Sequence, residues 1–438
     1  MAGQEHIRWL RNTAPYVNAH RGKTFVLMLT GELLQHENCS NILHDIALLN
    51  SLGIRIVLIH GARPQIAQRL EAAGLQTDFH QGMRITDTAA LEHVKDAAGS
   101  LRTQIEAVLS MGLPNSPMEG ARIAVCSGNF VTAQPLGVVE GVDFMHTGKV
   151  RRIDEAGIHR QLNDGAIVLL SPLGFSPTGE VFSLGLEDIA VQCAHAIHAD
   201  KLIMFSSGEG IFNQQGTLVR QCTMGEAEKL SVPDAAQSAL LNAACHACAT
   251  GVPRSHIVSY TDDCALLEEL FTHDGNGTLV SSEFYEQARE ANINDVGGIL
   301  ELIEPLERQG VLLKRSRELL ETEIQQFRLL ERDHRIIACA ALYPFPEAGC
   351  GEIACIVSHP DYRGGKRGQR LLAELEQEAK RQGLNRVFVL TTQTAHWFIE
   401  QGFTEASRDE LPGQKQSLYN LQRSSKVLFK PLQAGRDK

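Results

Sequence analysis

The sequence predicts an α/β protein in two parts, a sandwich on a mostly parallel sheet followed by a smaller domain with a mixed sheet. Three observations carry this expectation. From Lys23, short apolar runs alternate with helix-length segments, the order that produces a parallel sheet covered by helices. Near Val280 that order stops, and Ser281–Ala291 is polar and Glu/Gln-rich, which reads as a short helical linker. From Ile293, two amphipathic segments precede apolar runs whose connections are short enough for antiparallel pairing. The expected division is a first domain over 1–280, a linker over 281–292 and a second domain over 293–438; 438 residues accommodate two or three domains.

Each element has its own reason. Residues 1–20 read as an amphipathic helix with Ile7, Leu10 and Ala14 on one face, broken or kinked by Pro15. Thr24–Leu29 and Ile54–Ile59 are apolar throughout, as buried strands are, and Asn41–Leu52 between them is helical. The turn His60-Gly61-Ala62-Arg63-Pro64 starts a helix that runs to Ala73. Ala166–Ser171, Leu202–Phe205 and Ile257–Tyr260 are further strands, flanked by helices Leu186–His198 and Ala235–Ala249. In the second domain, helices Val296–Arg308 and Arg315–Gln325 precede strands Phe327–Glu331, Arg335–Leu342 and Glu352–Val357. Helix 369–382, strand Arg386–Leu390, helix Thr394–Gln401 and strand Lys426–Phe429 follow.

Composition narrows the function. A formal charge of −11 argues against general nucleic-acid binding, so any anionic ligand needs local Arg/Lys clusters. No segment approaches the roughly 20 apolar residues of a membrane span. The N-terminus lacks the basic and apolar regions of a signal peptide. Ten scattered cysteines fit a reducing compartment, so a cytoplasmic protein is expected. Cys245 and Cys248 have CxxC spacing, but no second pair or ligand cluster follows, and core packing on an Ala-rich helix explains them more simply. No metal is expected.

The most informative stretch is the loop Arg363-Gly364-Gly365-Lys366-Arg367-Gly368, between a strand and a helix. Such a loop is a pyrophosphate cradle: the N–H groups of the first helical turn lack partners, the helix end is partly positive, and glycines allow close approach. The loop and the order of elements resemble the GNAT acyltransferase superfamily, whose signature is Arg/Gln-x-x-Gly-x-Gly/Ala. Lys366 stands where the first signature glycine belongs, which is tolerable if its backbone needs no positive φ. The resemblance implies acetyl-CoA. Glu352 opens the strand before the loop and is either a base beside the acetyl group or an exposed strand-end glutamate. A backbone N–H of Ile356 or Val357 would stabilise the oxyanion. Thr391 and Thr392 end the next strand, near Glu352, and serve either as the proton donor or as caps for the following helix.

The runs Asn294–Ile299, Leu313–Glu318, Cys339–Pro344, Val389–Thr392, His396–Phe398 and Ser425–Leu428 resemble the bacterial N-acetylglutamate synthase family over essentially the whole chain. The resemblance implies acetyl transfer to L-glutamate, with Glu352 as general base and Thr391 as general acid. It implies that Arg315, Arg423 and Ser425 hold the substrate carboxylates, with Arg317 as the alternative to Arg315. A dicarboxylate needs two such clusters. Residues 23–280 resemble the amino acid kinase fold, a three-layer sandwich, and in particular acetylglutamate kinase. Lysines essential to that kinase are replaced by Met28 and by the surroundings of Leu240; its asparagine-aspartate region is Ser183–Glu187. Loss of phosphoryl transfer is expected. Tyr16, Lys201, His256, Glu269, Gly275 and Gly277 match the site by which arginine-responsive kinases bind arginine, so L-arginine is the expected inhibitor. The family's assembly implies a homo-oligomer, often a hexamer. A kinase–acetyltransferase fusion that still phosphorylates and a non-catalytic arginine sensor stay open as alternatives.

Overall fold

The structure, a computed structural model, describes residues 11, 13–111, 119–272, 275–281, 287–332, 335–362, 366–417 and 425–432. The chain forms two compact units that part between Glu283 and Phe284.

Unit 1 is built on strands β1 (Thr24–Leu29), β2 (Arg55–His60), β3 (Val125–Cys126), β4 (Ile167–Leu170), β5 (Lys201–Ser206), β6 (Gln221–Thr223), β7 (Arg254–Ser259) and β8 (Thr278–Ser281). Their spatial order is β6-β8-β7-β5-β1-β2-β4-β3, and every pair except β7–β8 is parallel. Its helices include α1 (Cys39–Ser51), α2 (Arg63–Ala72), α3 (Thr88–Leu109), α4 (Leu186–Ala196), α5 (Ala235–Ala249) and α6 (Ala265–Phe271). β1 sends Val26 and Met28 to the face covered by α4 and α5, and Phe25, Leu27 and Leu29 to the face covered by α1 and α6. With both faces buried, the strand is apolar at every position after Thr24. This is the expected three-layer sandwich. A closed four-stranded barrel (Val131–Pro135, Thr147–Ile153, Leu173–Phe175, Val181–Leu184) is added to it. Pro15 does not end the N-terminal helix: residues 13–20 are helical, and Tyr16 and Val17 pack on the α1/α6 side of the sheet.

Unit 2 contains, in order, β9 (Gln287–Glu290), α7 (Val296–Arg308), α8 (Arg317–Glu323), β10 (Phe327–Arg332), β11 (Arg335–Phe345), β12 (Cys350–Ser358), α9 (Arg367–Arg381), β13 (Arg386–Thr391), α10 (Ala395–Glu400), β14 (Thr404–Ala406), α11 (Gly413–Ser417) and β15 (Lys426–Pro431). The sheet order is β9-β10-β11-β12-β13-β15-β14, with β12–β13 parallel and its other pairs antiparallel. The segment expected as a helical linker contains β9 instead, paired with β10. Its polarity suits an edge strand, whose outer side faces water. α9 is strongly amphipathic. It buries Leu371, Leu372, Leu375 and Ala379 on the sheet, and the chain turns at Gly383 with φ +76°.

Two irregularities in β12 shape the site. The β12–β13 ladder runs only from Cys350–Arg386 to Glu352–Phe388, although both strands continue, so they part beyond Glu352. On its other edge β12 bulges: Cys355 and Ile356 together face Ala340, with Cys355 at φ +53°.

Candidate active site

The helix after β12 starts without a side-chain cap. Lys366 is the N-cap of α9 and makes no side-chain capping bond to the first turn. A cleft of about 540 Å³ lies against this end, lined by Ile356, Ser358, Lys366, Arg367, Gly368, Gln369, Thr394, Trp397 and Phe398. Gly368 lets the helix end approach Trp397 closely, since a Cβ there would lie 3.2 Å from the Trp397 ring. Arg367 turns back: its Nη1 donates to the Tyr362 carbonyl at 2.9 Å, and its guanidinium lies 5.8 Å from the Tyr362 ring centre. Lys366 has φ +59°, the left-handed conformation. The condition under which a lysine would be tolerated here without strain, no positive φ, is therefore not met. A side chain stands where a glycine would rest without strain. Arg363, Gly364 and Gly365 lie outside the described residues.

Glu352 is not an exposed strand-end residue. It is 6% exposed, third in β12, at the last rung before the strands part. Its Oε2 lies 2.7 Å from Nζ of Lys415 on α11. Among the described residues no donor is aligned on that oxygen, so charge rather than a directed hydrogen bond holds it. Lys415 was not anticipated. A lone lysine in a polar stretch carries no motif, and only the fold brings it to β12. The bulge takes the backbone at Cys355 and Ile356 out of ladder register where Ile356 lines the cleft, and Val357 regains register opposite Cys339.

Thr391 is less close to Glu352 than expected. It lies three residues beyond Phe388, the register partner of Glu352, or about 10 Å along the strand. Its Oγ1 accepts from the N–H of Thr394 at 3.0 Å and lies 2.9 Å from the Thr394 hydroxyl. The capping reading thus describes its local contacts. Those contacts also leave the hydroxyl oxygen poised to bear more negative charge.

The choice between Arg315 and Arg317 is geometric. Ser316 caps α8, accepting from Leu319 N–H at 3.2 Å. Arg317 follows the cap, is exposed, and pairs with Glu321 on its own helix at 2.8 Å. Arg315 precedes the cap and points inward. Burial works against its charge, but Cys355, Tyr343 and Glu323 around it raise its pKa overall. Ser425 precedes β15; Arg423 lies outside the described residues.

In unit 1 the expected ligand-binding residues form one buried chain. Lys201 Nζ lies 3.1 Å from His256 Nε2, and His256 Nδ1 lies 2.6 Å from Glu269 Oε1. Burial and Lys201 lower the His256 pKa to about 4, so the ring is neutral: Nδ1–H donates to Glu269 and Nε2 accepts from Lys201. Burial alone would raise the Glu269 pKa, but bonds from His256 and from the N–H groups of Gly277 and Asn276 hold it low. The loop closes on Glu269 itself. A Cβ at Gly275 (φ +64°) would lie 2.4 Å from its Oε2, and one at Gly277 would lie 2.2 Å from the Ile257 carbonyl. Tyr16 packs on the same side of the sheet as Phe25, and Lys201 Nζ lies 5.8 Å from the Phe25 ring centre. Met28 and Leu240 are both buried in the apolar core, with no cation at either place.

Residues 23–259 match the amino acid kinase family and residues 298–403 the acetyltransferase (GNAT) family. The amino-acid acetyltransferase of Azotobacter vinelandii is 56% identical over 433 residues, covering 98% of this chain and 100% of that protein. The chain belongs to the amino-acid acetyltransferase family. The family member from Pseudomonas aeruginosa PAO1 is 54% identical over 430 residues, with the same coverage. The crystal structure of N-acetylglutamate synthase from Neisseria gonorrhoeae complexed with coenzyme A and L-arginine matches at a TM-score of 0.90 and 38% identity, covering 98% of this chain and 99% of that one. The structure of that enzyme complexed with coenzyme A and N-acetyl-glutamate matches at 0.63 over the same coverage. As a member of the amino-acid acetyltransferase family the chain is an enzyme, with an amino acid kinase-like domain ahead of its GNAT domain. Among the described residues, no helix is long and apolar enough to cross a membrane.

Proposed function

We propose that the chain transfers the acetyl group of acetyl-CoA to the amine of L-glutamate, in a ternary complex, and that L-arginine bound to unit 1 inhibits it. The observation that carries the reading is the coincidence at one point of β12 of a buried carboxylate, a bulge and a parting of strands beside an uncapped helix N-terminus. The N–H groups at the first turn of α9 would hold the pyrophosphate. Glu352 takes a proton from the substrate ammonium, and the resulting amine attacks the thioester carbonyl. Backbone N–H groups at the bulge hold the oxyanion. As the carbon–sulfur bond breaks, the Thr391 hydroxyl supplies a proton to the thiolate and regains one from the amide nitrogen by way of solvent.

Direct attack is favoured over an acyl-enzyme because no thiol is suited to be the nucleophile. Burial pushes the Cys355 thiol up to about 11, and raises Cys339 and Cys350 as well. Arginine inhibition is supported by the Lys201–His256–Glu269 chain and by the bound L-arginine of the Neisseria enzyme. Coenzyme A and N-acetyl-glutamate in that enzyme's complexes support the substrate pair. With Met28 and Leu240 in apolar surroundings, unit 1 has no lysine there to neutralise a transferring phosphoryl group, and its role in this reading is regulatory. Assembly into a homo-oligomer belongs to the same proposal. The test is thiol release from acetyl-CoA against a panel of amino acids, with and without L-arginine. Release with L-glutamate that falls when arginine is added is expected. No release with glutamate, or equal release with glutamine, would overturn the assignment.

A further inference from the structure

Lys415 has no part in the mechanism above, yet it is the only charged partner that Glu352 has among the described residues. The resting contact at 2.7 Å therefore occupies the carboxylate on which the proposed reaction depends. The pair is also exchangeable, since no donor is aligned on Glu352 Oε2 and the Lys415 side chain is 25% exposed.

The charges nearby show what could exchange with it. Cys355 interacts electrostatically with Glu352, Arg315, Glu307 and Glu323, so Arg315 and Lys415 are the cations of the described site nearest to Glu352. L-glutamate brings a carboxylate for each of those cations and an ammonium for Glu352. We propose that Lys415 is a positioning residue that leaves Glu352 for a substrate carboxylate as the substrate ammonium takes its place. This rests on the glutamate reading above. The exchange leaves neither Glu352 nor Lys415 without an opposite charge, which avoids the large cost of an unpaired buried one. It also delivers to Glu352 the very proton that must be removed. An amino acid lacking the second carboxylate leaves Lys415 on Glu352, so the pair screens for dicarboxylates.

The test compares wild type, Lys415→Met and Lys415→Arg. Glutamate binding is measured by calorimetry on the CoA-loaded protein, and the pH dependence of kcat/KM and of kcat is recorded separately. The other ionisable groups facing Glu352 stay in place: Tyr343 across on β11, Cys355 on its own strand, and Arg315, Glu323 and Glu307 around Cys355. In Lys415→Met, glutamate should bind about tenfold more weakly or worse. The acid limb of kcat/KM, which reports the free enzyme, should move to higher pH, while that of kcat, which reports the complex, stays. Lys415→Arg should restore both, which a lost fold in the methionine variant cannot mimic. Movement of both limbs would mean that Lys415 stays on Glu352 through turnover and overturns the exchange. Unchanged affinity with neither limb moved overturns it as well. Failure of the wild type itself to bind glutamate is seen in its own titration and is the failure of the parent reading.

Discussion

Lys366 holds a backbone conformation that costs an L-residue about 1–2 kcal/mol and a glycine much less. What the side chain adds is a positive charge at the helix end that, in the proposed reading, holds the pyrophosphate. Lys366→Gly should therefore raise the melting temperature of unit 2, by roughly 1 kcal/mol of stability, while acetyl-CoA binds several-fold more weakly. A lower melting temperature would contradict the strain argument. Glu352→Gln keeps size and burial but removes basicity. It should cut kcat by about 10²-fold or more and leave the KM for acetyl-CoA within about twofold. Turnover equal to wild type across the pH range would remove Glu352 as base. Glu352, Gly368 and the inward arginine were legible in the sequence as members of a short list. Their distinguishing geometry was not, because it depends on contacts between distant segments. Arg315 and Arg317 separate only once Ser316 is known to cap α8. Lys415 becomes visible only when α11 is folded against β12.

Among elements, the cleft depends on the close packing of α9 on α10. Gly368→Val inserts branched carbon against Trp397, where a single Cβ would already lie 3.2 Å away. We expect at least about a tenfold rise in the KM for acetyl-CoA and little change in that for glutamate. An equal rise in both would point to general unfolding instead. Five strands of the large sheet, β1, β2, β4, β5 and β7, were legible because both faces are buried and each carries a continuous apolar run, whereas the short strands β3, β6 and β8 were not. The 22-residue helix α3 was not, because its buried stripe is partly alanine (Ala90, Ala97, Ala98), a weak hydropathy signal. The barrel strands were missed for a different reason: several are short and half-exposed, and their pattern resembles that of loops. β9 was mistaken for a helix because polarity alone cannot tell an edge strand from a solvent-facing helix.

At the scale of the whole molecule, acid should weaken unit 1. Burial lowers His60 and His256 to about 4, whereas unfolded histidine titrates near 6.5. Between those values the unfolded chain binds protons that the native one refuses. Their contribution is thus full above about pH 6.5 and is lost as pH falls toward 4. Asp45, raised to about 7 by burial and by Asp263, acts in the opposite sense, favouring the fold as pH falls through 7. With two histidines against one carboxyl, the melting transition of unit 1 should drop between pH 6.5 and 4, and a transition that holds steady would refute this balance. The regulatory reading has its own check. Glu269→Gln preserves shape but weakens the acceptor for His256, Asn276 and Gly277, so inhibition by arginine should weaken at least about tenfold. Inhibition at the wild-type arginine concentration would move the effector site elsewhere. The parting of β12 and β13 has a mechanical corollary. The seven strands of unit 2 act as two panels latched by the rungs from Cys350 to Glu352, with α9 spanning the seam. A molecule wedged in that seam works as a staple, so its arrival should slow amide exchange in β13 and β15, strands far from most of its own atoms.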